Sequence, residues 1–327
     1  MIWLNNARII AIFAVLVVHV SDSFLRQYTF GSEYWWVANV YDSAVRWCVP
    51  VFVMVSGALL LGSEKEETIA VFYKKRLARI ITPILFWSFF FAFIWVALKS
   101  MIGGAELRLD AALSAIISGQ PYYHMWFLYM IIGLYFITPY LRMIVAQASA
   151  SELSLLTGGL FILAAINGAE AVYFTQPFTN WFLMYIPYFF AGYLIRHSQY
   201  NPPKLFLWTG LLTSVLFSSL GSYFFASGYF YGYLSVTTIS MSIAVMYLLK
   251  LWQAPLFSAN IAKSLASLSF GVYLIHPVIL EVIHYHGHKS IQFHPALSIP
   301  ALASVTFLIS LIGAWFIYKL PFIKRII

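Results

Sequence analysis

Apolar stretches of 17 to 25 residues recur ten times along the chain, and short loops between them hold most of its charge. A helix needs about 20 such residues to cross the hydrocarbon core of a bilayer. The stretches fall roughly at 7–24, 37–61, 80–101, 123–145, 154–170, 180–196, 204–222, 231–250, 265–283 and 298–318. Asn167, Glu170 and Pro177 blur the boundary between the fifth and the sixth. Composition removes the soluble alternative. The 327 residues are 62% hydrophobic and 9% charged, where soluble domains carry about 25% charged residues. A core facing water on all sides cannot hide that much apolar surface. The expected fold is therefore all-α: a polytopic bundle of about ten spanning helices.

Lysines and arginines orient it, because short cytoplasmic loops are enriched in them. With the first residue inside, 14 of the 19 fall at inner ends and 4 at outer ends, leaving Arg46 within the second stretch. Both termini are thus expected in the cytoplasm. The first stretch leads into His19, Ser21, Asp22 and Ser23 rather than a small-residue cleavage site, so it reads as a retained span. The net charge of +8 is dispersed between spans and does not indicate nucleic acid. Cys48 is the single cysteine, which rules out a disulfide framework within the chain. Residues 105–119 set Leu109, Leu113, Ile116 and Ile117 opposite Glu106 and Asp110, the pattern of a helix lying on the membrane surface. No internal repeat or low-complexity tract is visible.

Ionisable groups inside lipid are expensive and need a reason. Arg8 and His19 lie eleven residues apart, about 20° beyond three full turns, so they share a helix face about 16 Å apart. Each has an ordinary reading, as an inner-side anchor and a packed histidine. Each also has a chemical one, since a neutral histidine takes a proton from a hydroxyl. Arg46 pairs at helical spacing with Asp42, as a structural ion pair or a substrate contact. Ser56 and Gly57 permit close approach of a helix or ligand, and Pro50 is a candidate kink. Arg76 and Arg79, with Lys74 and Lys75 beside them, are either anchors or a phosphate clamp. Ser269, Tyr273 and His276 form a polar stripe that must face other helices or a cavity. Tyr122, Tyr123, His124 and Trp126 read as an aromatic belt or a platform for a sugar ring. His284, His286, His288 and His294 cluster in an outer loop. Without a carboxylate or cysteine they do not specify a metal, and none is predicted.

Several of these segments, in this order, resemble the acyltransferase-3 family of integral membrane acyltransferases. They are Asn6, Arg8 and His19; residues 49–57 with Phe52, Ser56 and Gly57; Arg76 and Arg79; His124 with Trp126–Leu128; and Ser269, Tyr273 and His276. Arginine and histidine separated by ten residues are that family's signature in its first span. The segment Arg46–Pro50 is similar to the branch of stand-alone, WecH-like O-acetyltransferases. Ile9 and Ala58 depart from common family residues, and neither position carries a proposed catalytic group.

The resemblance implies an acyl-CoA donor, most often acetyl-CoA, and a hydroxyl of a cell-surface or polyprenyl-linked glycan as acceptor. It implies a multi-pass protein of the bacterial inner membrane. It also implies one transmembrane acyltransferase domain over residues 1–327, without the extracytoplasmic esterase-like domain many relatives carry. His19 is then the general base, or becomes covalently acylated. Arg8 orders the donor or closes the inner gate. Arg76, Arg79 and Lys75 hold the CoA phosphates. Arg46, Ser56, His124, Trp126, Tyr273 and His276 support the substrate or the oxyanion. Two alternatives stand: the same reaction with succinyl, for which Arg46 would supply the cation, and a lipid-linked glycan flippase.

Overall fold

The computed structural model describes residues 1–62, 68–101, 108–174, 177–287 and 293–327, apart from the side chains of residues 78 and 285–287. The described residues are helical, without strands. In chain order the helices are α1 (Ile2–Gln27), α2 (Glu33–Val45), α3 (Cys48–Leu60), α4 (Ile69–Phe89), α5 (Val96–Met101), α6 (Leu109–Ile117) and α7 (Trp126–Gln147). They continue as α8 (Ala150–Glu170), α9 (Phe178–His197), α10 (Lys204–Phe224), α11 (Val236–Leu251), α12 (Ala259–Gly287) and α13 (Pro295–Lys319). Among the described residues, nine segments are long and apolar enough to cross a membrane, with α2–α3 and α4–α5 each counting as one. The chain is a multi-pass helical membrane protein.

The expected sixth span, α9, is not one of the nine. Its 20 residues include Trp181, Tyr185, Pro187, Tyr188, Tyr193 and Arg196, which lower its hydropathy. Its middle, Tyr185 and Pro187–Gly192, is buried against other helices, so it needs little lipid-facing surface. It nevertheless runs the length of α3 and in the same sense. Met54 meets Gly192, Ala58 accepts a hydrogen bond from Arg196, and Gly62 abuts His197. Gly57 and Gly192 let the two backbones touch. A Cβ on either would lie 1.9 Å from the carbonyl oxygen of Phe189 or Met54. Such small-residue contacts are how helices associate where no hydrophobic force separates helix from solvent.

The expected second span is two helices. The break falls at Arg46–Trp47, upstream of Pro50. Pro50 sits in the first turn of α3, where its missing N–H has no intrahelical partner to lose. Ser32 caps the start of α2 by accepting from Trp35 N at 3.3 Å. The third span starts earlier than expected, so residues 74–79 lie within α4 rather than ahead of it. Between α4 and α5 the chain makes a π-helical turn, Phe90–Trp95. Helix α6 leaves Leu109, Leu113 and Ile117 exposed, in keeping with a membrane-surface helix; Glu106 lies outside the described residues.

Exposed apolar side chains cover the outer helices: Leu155, Ile162 and Leu163 on α8, Phe206, Leu212 and Leu216 on α10, Leu308, Ile312 and Phe316 on α13. Water would not tolerate such a surface, and lipid does. Helix α1 lies inside, against α2, α3, α11, α12 and α13. It runs in the same sense as α12. Asn6 donates to Ala254 O at 2.8 Å near one end, and Ser23 Oγ lies 3.4 Å from His284 Nε2 near the other.

Candidate functional site

Between α1, α4, α7 and α12 lies a cavity of about 1000 Å³. Its wall follows α1 from Arg8 to Val15 and α12 from Ala266 to Tyr273, roughly 10 Å along each helix. One end is basic, lined by Arg8, Lys74, Lys75, Arg79, Lys324 and Arg325. The middle is apolar, with Phe52, Ile80, Phe127 and Ile131, and Ser56, Ser269 and Tyr273 add hydroxyls. Lys75, Arg79 and Thr82 follow one another at helical spacing along α4 and form a polar stripe whose first two members are cations. Arg76 falls on the adjacent face and is not among the lining residues; its Nε is buried without a hydrogen-bond partner.

Beyond Tyr273 and Val15 sits a cluster of three histidines. His19, one turn past Val15, stacks on His276 with ring centroids 5.2 Å apart and meets Tyr123 edge-on at 4.8 Å. His124 lies 5.4 Å from His276 and 5.1 Å from Tyr273. The Tyr273 hydroxyl donates to the His124 carbonyl, so this tyrosine separates the cavity from the histidines and ties α12 to the residues ahead of α7. Both ring nitrogens of His124 and Nε2 of His276 are buried with no hydrogen-bond partner. Buried polar atoms in that state cost about 1–3 kcal/mol each, a cost that a bound polar group relieves.

Local chemistry fixes the tautomer of His276. Pro277 has no N–H, so the carbonyl of Tyr273, four residues before it, loses its helical donor. His276 Nδ1 lies 2.7 Å from that carbonyl. A carbonyl oxygen only accepts, so Nδ1 carries the proton and the neutral ring presents Nε2 as a bare lone pair.

Arg46 stands at the break between α2 and α3. Its Nε and Nη2 reach Asp42 Oδ2 at 2.7 and 2.5 Å, and its guanidinium lies under the rings of Tyr231 (5.0 Å) and Tyr233 (5.9 Å). Asp42 also accepts from Ser21, two residues after His19, at 3.3 Å. Tyr233 stacks on Trp126 at 5.6 Å, and Trp181 and Tyr185 complete an aromatic group around that indole.

The sequence reading did not find four contributors. Tyr231 and Tyr233 cover Arg46, and their place depends on tertiary packing alone. Phe91, at the π-helical turn, faces both Tyr122 (4.4 Å) and His124 (5.1 Å). Glu281 accepts from Trp95 Nε1 at 2.7 Å, from Lys99 and from the Tyr122 hydroxyl, pinning the segment that carries His124. A carboxylate within the ninth span was the one available signal for it. Among the outer histidines, His294 caps α13 by accepting from Ala296 N at 3.2 Å and lies 3.4 Å from Glu33. The side chain of His286, and all of His288, lie outside the described residues.

Comparison with known proteins agrees with this arrangement over nearly the whole chain. The acyltransferase-3 family model, described as an acyltransferase domain, matches residues 1–319. No curated protein and no solved structure gives a match. A match of that extent, on a bundle that sets Arg8 and His19 along one buried helix, means that the chain belongs to the acyltransferase-3 family and is a membrane acyltransferase.

Proposed function

We propose that this protein transfers an acyl group, acetyl, from cytoplasmic acyl-CoA to a hydroxyl of a cell-surface or lipid-linked glycan, as a multi-pass enzyme of a bacterial inner membrane. Residues 1–319 act as one transmembrane acyltransferase domain similar to that of the WecH-like O-acetyltransferases. The observation that carries this reading is the cavity. It is basic at one end and apolar along its length, and it stops at Tyr273, one turn short of His19. That profile suits a donor with a phosphate-rich head and a long, nearly neutral arm ending in a thioester.

In this scheme Lys75 and Arg79 hold donor phosphates, Arg76 supports them from the neighbouring face, and Arg8 orders the arm. The acceptor arrives from the side of Trp126 and His124. Its hydroxyl oxygen attacks the thioester carbonyl carbon while His19 takes the hydroxyl proton. The carbon–sulfur bond then breaks, and the departing thiolate recovers that proton, leaving CoA and an O-acyl ester. Ser56, which lines the cavity, is the oxyanion donor, and Tyr273, whose hydroxyl proton goes to the His124 carbonyl, supports the substrate by holding that segment. His276, with Nε2 an acceptor, is assigned to the incoming hydroxyl rather than to the oxyanion. An uncharged acyl group is favoured over succinyl because Arg46 is already engaged by Asp42.

The test is His19→Ala in cells, read by mass spectrometry of surface glycans. Loss of acylation, with the variant inserted at normal level, is the expected result. Glycans that keep their acyl groups would overturn the scheme, and the mass lost identifies the group. Acyl adduct trapped on His19 with donor alone would replace direct transfer by a covalent route.

A further inference from the structure

Basic residues after a last span usually stand in water as anchors on the cytoplasmic side, and touch nothing. Here the chain does something else. After α13 ends at Lys319, it turns back on itself. Lys324 N donates to Leu320 O at 3.0 Å, and a short 3-10 turn spans Lys324–Ile326. Trp87, buried on α4, donates its indole N–H to Ile326 O at 2.8 Å. Ile327 lies against Gly271 of α12, where a Cβ would come within 3.3 Å of its Cδ1. Two membrane helices therefore hold the segment in place, and its Lys324 and Arg325 line the cavity beside Arg8, Lys74, Lys75 and Arg79.

Six cations share that lining, and no carboxylate side chain accompanies them among the described residues. Like charges gathered at one mouth repel, and the arrangement is stable in service to a polyanion. Three cations on α4 match one or two phosphates. A donor head carrying three phosphate groups needs more contacts than these, and the returning segment, which bridges α4 and α12, adds two cations at the same mouth. We infer that residues 320–327 are part of the acyl-donor site, and that Lys324 and Arg325 bind its phosphates. The inference rests on the donor reading above and extends it to a segment outside the family's motifs. The shared chemistry is a phosphate ester, which the headgroup of an anionic lipid also offers.

The experiment is CoA titration of the purified full chain in phosphatidylcholine nanodiscs, with phosphatidylglycerol nanodiscs as a second arm. Lys324→Ala with Arg325→Ala is expected to weaken CoA binding about tenfold or more, as loss of charge-assisted contacts does. The Lys324→Arg variant should stay close to wild type. Trp87→Phe, which removes the anchoring N–H and no charge, should weaken binding by a smaller factor. Both basic side chains are exposed, so the unliganded variants should melt as wild type does. CoA affinity unchanged in the double variant but reduced in Arg79→Ala overturns the inference and leaves the donor reading standing. Affinity unchanged in both, or no CoA binding by wild type, overturns the two together. Loss of phosphatidylglycerol binding with CoA binding intact reassigns the two cations to lipid and overturns the inference.

Discussion

Proline at 277 deletes one backbone N–H, and His276 Nδ1 takes up the carbonyl that it strands. The consequence is chemical as well as structural, because the other nitrogen of the ring is left as a base facing His19. Pro277→Ala restores a competing donor. Helix stability should hold or rise, since an interior proline costs about 3 kcal/mol. Transfer should fall about tenfold at unchanged CoA affinity as the ring loses its fixed tautomer; full activity in that variant would show that the tautomer does not matter. Asp42 and Arg46 offer a second residue-scale test. Removing one partner of a buried ion pair leaves an uncompensated charge and costs about 3–5 kcal/mol, whereas replacing both costs far less. Asp42→Leu should therefore lower the melting temperature sharply, and Asp42→Leu with Arg46→Met should recover most of the loss. If the double variant melts as low as the single one, the pair itself stabilises the bundle.

Helices α3 and α9 depend on two glycines, and α3 also has its last carbonyls bound by arginines. Arg142 Nε donates to Leu60 O at 2.6 Å and Arg196 donates to Ala58 O, so cations meet the negative end of the helix. Gly192→Ala would drive a methyl into the Met54 carbonyl 1.9 Å away, and the helices must part. Overpacking of this kind costs about 1–3 kcal/mol. Because α3 also carries Ser56 on the cavity wall, donor affinity should fall with stability. A Gly192→Ala protein that melts and binds CoA normally would contradict the observed contact. The sequence revealed that Gly57 allowed close approach. It did not reveal Gly192 as the partner, because a glycine's neighbour is set by which helices meet. The break at Arg46–Trp47 was hidden for a related reason. Pro50 was the visible breaker, yet it is harmless where it stands, and the chain turns four residues earlier.

At the scale of the molecule, lipid made the architecture readable: each crossing must be apolar and long, so the spans announce themselves. The helix that escaped that rule, α9, is enclosed by protein and owes less to lipid. The site was readable where one helix carried it, as with Arg8 and His19 on α1 or Tyr273 and His276 on α12. It was not readable where distant segments converge, as when His124 meets His276, or Lys324 and Lys75 line one cavity. Spacing also left open which face of α4 the cavity takes. Arg76 and Arg79 share a broad face, but the cavity samples the stripe of Lys75 and Arg79.

Tyr273 has a consequence that concerns the cell rather than the reaction. A bundle hollowed from one side and polar on the other is separated from being an ion conductor by whatever lies between. Here that is the hydroxyl of Tyr273 on the His124 carbonyl, with Phe127 beside it. An energised membrane stores its voltage across such partitions, and the histidines behind this one are good proton carriers. Tyr273→Ala should turn the bundle into a slow leak, measurable as dissipation of a pH gradient across proteoliposomes that the wild-type protein holds. Gradients that decay equally in both would mean that the insulation lies elsewhere in the bundle.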